Sequence, residues 1–163
     1  MLTYNWVNNM SLDMALIRKN ETKEFDEGLL PDTKEIQNTQ LNGLKNTEEL
    51  NKEIDEKIKS IMKDDKIGFD TKKLMVKYVI YKSYYYHAVD FQKIVNLPEL
   101  EIKLFIIDKY LINIKSLLLK VDSFTYDSIN KKLDIVYKML GEVCEIMDDY
   151  IDRLDDKKSG ISI

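Results

Sequence analysis

The chain has 163 residues, of which 44% are hydrophobic and 33% charged, with a net charge of −4 at pH 7. That is enough apolar material for one sizeable core, and too much for a chain that stays unfolded. Two prolines and five glycines are too few breakers for an all-β domain, and the single cysteine, Cys144, allows no intrachain disulfide and fits a reducing compartment.

Other classes lose support from the same arithmetic. There are 25 basic and 29 acidic residues, and only Arg18 and Arg153 are arginine. A phosphate-binding footprint normally has a basic surplus and is rich in arginine, so nucleic acid is a disfavoured partner. Lysine, isoleucine, asparagine and tyrosine are common, while Ala15 and Ala88 are the only alanines. This is the bias of an AT-rich coding sequence, as in low-GC bacteria, their phages and some viruses. The segment MLTYNWVNNMSLDMALIRKN has no basic start followed by an apolar run, so no secretory signal is expected. The most apolar stretch, residues 100–121, is interrupted by Glu101, Lys103, Asp108, Lys109, Lys115 and Lys120, so no membrane span is expected. The expected location is the cytoplasm, that of the host if the source is viral.

The character of the chain changes along its length. Residues 1–46 read as a weakly structured N-terminal extension, and residues 47–163 as a helical bundle domain. In the extension, Trp6, Val7, Met10, Leu12, Leu16 and Ile17 form an apolar group, and Ser11 is placed to cap a short helix over 12–19. FDEGLLPD reads as a loop, and Asp32 with Glu35 opens a short helix closed at Gly43.

Asn46 and Glu49 have the spacing of a capping box for a helix over 47–64. Its apolar residues, Leu50, Ile54, Ile58, Ile61 and Met62, make a narrow stripe that docks on one side only. After a break at Gly68, Asp70 is the expected cap of a helix running to residue 96. This helix is apolar around most of its circumference, with Lys82, Ser83, Asp90 and Lys93 keeping one narrow side wet, so it belongs at the centre of the bundle. Pro98 marks the next boundary, with Asn96 and Glu99 at capping-box spacing.

The next helix, 99–121, repeats apolar residues at Leu100, Leu104, Ile107, Leu111, Ile114, Leu118 and Val121. A turn with Ser123, Thr125 and Asp127 as candidate caps leads to the last helix, 126–156. Its stripe is Tyr126, Ile129, Leu133, Val136, Leu140, Val143, Met147, Tyr150 and Leu154. Steps of three and four sustained over several repeats are a heptad seam. Two such helices joined by a short turn predict an antiparallel hairpin. Residues 70–132 carry 11 basic and 7 acidic residues, and residues 133–163 carry 4 and 8, so these segments are complementary in charge. The expected architecture is all-α, a bundle of about four helices built around this hairpin.

No reaction chemistry emerges from the side chains. His87 is the only histidine, which excludes a carboxylate-bridged dimetal site needing one ExxH from each of two helices. Cys144 sits inside the apolar pattern and reads as a small core residue, and His87, in line with Ile80, Tyr84, Phe91 and Ile94, reads as a core or boundary histidine. No glycine-rich phosphate loop occurs. Asp148, Asp149, Asp152, Asp155 and Asp156 lack the loop spacing of a calcium site and read as a solvated face. No catalytic, cofactor or metal residues are assigned, and the chain is not expected to be an enzyme.

The least ordinary feature is YKSYYYHAV, with Tyr78, Tyr81, Tyr84, Tyr85 and Tyr86 on one helix. Tyrosine favours half-exposed positions and interfaces because its hydroxyl needs a partner. At 100° per residue they cannot all point the same way: either their rings seal the bundle with the hydroxyls at its rim, or these tyrosines, with Lys82 and Lys93, form the candidate interaction surface. Apolar residues beside the heptad seams (Phe105, Ile106, Tyr110 and Leu117; Tyr137, Cys144 and Ile151) offer a route to self-association. The expected function is a non-enzymatic protein-interaction or assembly module that binds another protein or itself, with a phage or mobile-element factor as one form. The alternative is a nucleic-acid-associated helical protein using the basic segment 70–132.

Overall fold

The computed structural model describes residues 44–158. Four helices lie within them: α1 (Thr47–Lys63), α2 (Phe69–Val95), α3 (Pro98–Leu118) and α4 (Ser123–Lys158). There is no strand among the described residues. The expected all-α bundle and its antiparallel hairpin are therefore present, while the two short helices expected before Gly43 lie outside the described residues.

Cross-helix contacts fix the directions. Lys103 Nζ meets Glu142 at 3.2 Å, and Lys132 donates to Asn113, so α3 and α4 run antiparallel. Tyr84 reaches Asn51 and Lys72 reaches Met62, which makes α1 and α2 antiparallel. Tyr81 packs near Tyr137 and Phe91 near Tyr150, so α2 and α4 run parallel. Helices α2, α3 and α4 all pack on one another, and α1 packs chiefly on α2. At 1.5 Å per residue, the 36 residues of α4 span about 54 Å and the 21 of α3 about 32 Å. The C-terminal part of α4 therefore passes beyond α3 and lies along α2, where the Tyr150 ring meets Phe91 edge-on at 5.8 Å.

The core follows the heptad seams. Leu100, Leu104, Ile107, Leu111 and Ile114 of α3 are buried against Ile129, Leu133, Val136, Leu140, Val143 and Met147 of α4 and the interior of α2. From α1, Leu50, Ile54 and Ile58 are buried, with Ile61 and Met62 half-buried at the edge. Because α2 touches all three other helices, almost its whole circumference must be apolar. Ser83, expected on its wet side, is instead buried and satisfies its hydroxyl by donating to the Val79 carbonyl at 2.8 Å.

The helix ends follow some of the expected caps and depart from others. Asn46 Oδ1 accepts the Glu49 N–H at 2.8 Å, as expected. Helix α2 begins earlier than expected, with Gly68 as its cap and Asp70 in its first turn. Asn96 does not open α3. It closes α2 in the left-handed region (φ 53), a conformation asparagine tolerates, and Leu97 precedes Pro98 in extended conformation. Gln92 clamps this corner, with Nε2 donating to Leu97 O at 2.9 Å and Oε1 accepting from Leu97 N at 3.0 Å. At the start of α4 the cap is Asp122, whose Oδ1 accepts the Phe124 and Thr125 N–H groups at 2.9 and 2.8 Å. Thr125 Oγ1 accepts the Asp122 N–H in return, closing a reciprocal box. These bonds hold the Asp122 carboxyl below its ordinary range.

One polar contact ties α1 to the core. The Tyr84 hydroxyl, fully buried, donates to Asn51 Oδ1 at 3.0 Å, and Asn51 is itself buried. Asn51 Nδ2 has no hydrogen-bond partner among the described residues. Tyr84→Phe therefore strands the asparagine carbonyl in the interior and is expected to cost about 1–3 kcal/mol. Asn51→Leu combined with Tyr84→Phe removes both polar groups and is expected to recover most of that loss. Urea unfolding of the two variants checks this. A double variant no more stable than Tyr84→Phe alone would show that the pair does not hold α1 in this way.

Candidate functional site

The tyrosine row does not form one surface. Tyr78, Tyr81 and Tyr84 are buried, Tyr85 is half-buried, and only Tyr86 is exposed. The reason is geometric. At 100° per residue, five tyrosines spread around the helix, and α2 is enclosed on most sides. Tyr81 packs against Tyr137 of α4 with ring centres 6.0 Å apart, and burial raises its hydroxyl pKa well above the ordinary value. Tyr85 leans toward α3, where burial and the Asp108 carboxylate push its pKa up to about 12. Lys82 lies over both the Tyr78 and Tyr86 rings, at 5.3 and 5.7 Å. Lys93 is exposed beside Asp90, at 3.9 Å. What remains accessible from the expected surface is Tyr86, one edge of Tyr85, Lys82 and Lys93.

The two chemically suggestive residues, His87 and Cys144, are both buried, on different helices. His87 is buried on α2, and desolvation lowers its pKa to about 4 despite the opposing pull of Asp90, with Lys45 adding to the lowering. It is therefore neutral at pH 7. Cys144 is buried on α4, with Sγ 3.8 Å from Asp148 Oδ2 on the next turn. No group of three His, Cys, Asp or Glu side chains converges on a metal position among the described residues. Likewise, no described helix is long and apolar enough to cross a membrane.

The basic residues of 70–132 are dispersed over three helices, and several bind within the bundle. Lys72 donates to the Met62 carbonyl at the C-terminal end of α1, Lys77 to Asn130, and Lys132 to Asn113, while Lys103 pairs with Glu142.

Of the nine exposed large hydrophobic side chains among the described residues, Phe69 and Tyr86 lie on α2, Phe124 and Ile135 on α4, and the other five on α3 or just past its end. Ile102, Phe105, Ile112 and Leu119, just past the helix end, are 63%, 60%, 59% and 85% exposed, and Ile106 joins them on the side toward α4. With Lys109 and Ser116 between them, they step three, four, three, four, three along the chain. This is a second heptad stripe on the side of α3 facing away from the buried seam. The Lys109 ammonium lies over the Phe105 ring at 5.0 Å. Phe105 and Ile106 stand out in the sequence as apolar residues beside the seam. Ile102, Ile112 and Leu119 do not, because the polar residues interleaved with them make that arc read as solvated. A scan for a second heptad in another register is the signal that finds them. Isolated exposed apolar side chains are ordinary, whereas here they recur in a row along one helix.

No protein-family model, no curated protein and no solved structure matches this chain.

Proposed function

We propose that this chain is a non-enzymatic protein-interaction module whose contact face is the outer surface of α3. The observation that carries the reading is the exposed stripe of Ile102, Phe105, Ile112 and Leu119 on a helix whose opposite side is fully packed. The division of labour supports it. The interior side chains His87 and Cys144 are buried on separate helices, and five of the nine exposed large hydrophobic side chains among the described residues lie on α3 or just past its end. Tyr86 and Lys82 on the neighbouring helix α2 fit the rim of such a face, since tyrosine presents an apolar ring and a polar tip. A contact between rigid helices loses little conformational entropy on association, which favours binding without further folding.

The nucleic-acid alternative gains little from this arrangement: Lys82 and Lys109 lie over the exposed rings of Tyr86 and Phe105, but Lys72, Lys77, Lys103 and Lys132 are engaged within the bundle.

The test is the Phe105→Lys/Ile112→Lys variant of the full chain. Both substitutions point outward, so the thermal midpoint is expected to stay within the few degrees of an ordinary surface change. Binding to other proteins or to itself, measured by tagged-chain capture and by sedimentation in parallel, is expected to be lost. A variant that keeps every association of the wild-type chain would defeat the assignment of α3 as the contact face.

A further inference from the structure

We infer that the outer face of α3 pairs with the same face of a second copy of the chain, with the two α3 helices antiparallel. This rests on the reading of α3 as the contact face and names its occupant.

Charge selects the orientation. Glu99 and Glu101 are exposed at the N-terminal end of α3, and Lys115 and Lys120 at the other end. A parallel pair would set glutamates beside glutamates and lysines beside lysines. An antiparallel pair sets each acidic end beside the basic end of the other copy. Asp122, the next acid beyond the basic end, is engaged in capping α4.

Side-chain size fits the same arrangement. Centring the two-fold axis between residues 110 and 111 places Ile102 opposite Leu119 of the second copy, Phe105 opposite Ser116, and Lys109 opposite Ile112. The largest exposed ring on the stripe thus meets its smallest side chain. The aliphatic stem of Lys109 covers Ile112 while its ammonium reaches water at the edge. A two-fold contact of this kind uses one patch twice and closes at two copies, leaving no apolar stripe to propagate. The lysine within the stripe limits affinity and fixes register, as a polar residue does in a coiled-coil seam.

The test uses the full chain. Sedimentation equilibrium is expected to show the mass of two chains at about 100 μM and dissociation on dilution. Phe105→Lys/Ile112→Lys is expected to raise the dissociation constant by at least about 100-fold. Orientation is read by oxidative trapping, with the buried Cys144 left in place and wild type as control. In an antiparallel pair, residue 116 lies about 16 Å along the axis from its own counterpart, beyond the reach of a disulfide. Ser116→Cys alone is then expected to give no cross-linked dimer, while Phe105→Cys/Ser116→Cys gives one in high yield. Efficient trapping of Ser116→Cys alone would overturn the antiparallel arrangement. A monomer at every concentration would overturn the second copy as occupant, whether residues 1–43 or another protein takes the face. The reading of α3 as a contact face would then stand or fall separately, on capture of other proteins and its loss in the lysine variant. A wild-type dimer left intact by the two lysines would overturn both.

Discussion

Phe91→Ala lowers the unfolding free energy of the full chain by about 3–5 kcal/mol. Phe91 is fully buried on α2, and its ring meets Tyr150 of α4 edge-on at 5.8 Å. Truncation removes the transfer free energy of the ring and leaves a cavity between two long helices that cannot close onto each other without shifting their whole seam. A domain of this size has only about 5–15 kcal/mol in total, so the thermal midpoint falls by on the order of 10 °C. Phe105→Ala is the matched control. The same side chain is removed, but from a position 60% exposed, and the expected change in the monomer is within about 0.5 kcal/mol. Urea denaturation at a concentration where the chain is monomeric measures both. If the two variants lost similar stability, the placing of Phe91 inside the bundle and of Phe105 on its outer surface would be wrong.

Acidification from pH 7 to pH 4 removes roughly 3 kcal/mol of stability through His87 alone. Burial lowers its pKa from 6.5 to about 4 in the folded chain. Between those values the unfolded chain takes up a proton that the folded chain does not, so falling pH favours unfolding. The contribution is complete above pH 6.5, declines as pH falls, and has gone once the folded-state histidine also protonates. Below that point the carboxylates take over, and Asp122, with its lowered pKa, adds loss in the same direction only below its ordinary 3.8. His87→Gln has no proton to gain, so its stability should be nearly flat from pH 7 to pH 5. Chemical denaturation at half-unit intervals separates the two profiles. A wild-type profile as flat as that of the glutamine variant would mean that His87 is not held neutral in the interior.

Much of the bundle is legible in the sequence because two independent signals agree. The seams of α3 and α4 repeat at three and four, and the breaks between helices fall where Gly68, Pro98 and the Ser/Thr/Asp-rich turn near 123 make continuation costly. The centrality of α2 is equally legible, since a helix without a polar face has nowhere else to go. The helix ends are legible only to within a few residues. Asn96 has the right spacing to cap α3, yet the same residue type also closes a helix in the left-handed region, and the Gln92 clamp that decides between them is a side-chain contact no spacing rule contains. Asp122 is passed over because Ser123, Thr125 and Asp127 compete with it on residue type alone.

The proposed contact face is less legible in the sequence than the bundle. Tyrosine is equally at home at a rim and in a satisfied interior, so the composition of YKSYYYHAV cannot say that Tyr84 donates to Asn51 inside the bundle while Tyr86 faces outward. On α3 the apolar residues occupy both sides. Periodicity marks each stripe, and only the packing of α2 and α4 decides which one is covered.

Hydroxyl-radical footprinting of the wild-type chain tests most directly the claim that the outer stripe of α3 is the contact face. It reads side-chain exposure residue by residue, before and after the concentration is raised to form the complex. Phe105 and Tyr86 are expected to oxidise quickly in the dilute chain and Tyr84 and Phe91 slowly, with Phe105 becoming protected on association. An oxidation rate at Phe105 that does not change on association would contradict the account.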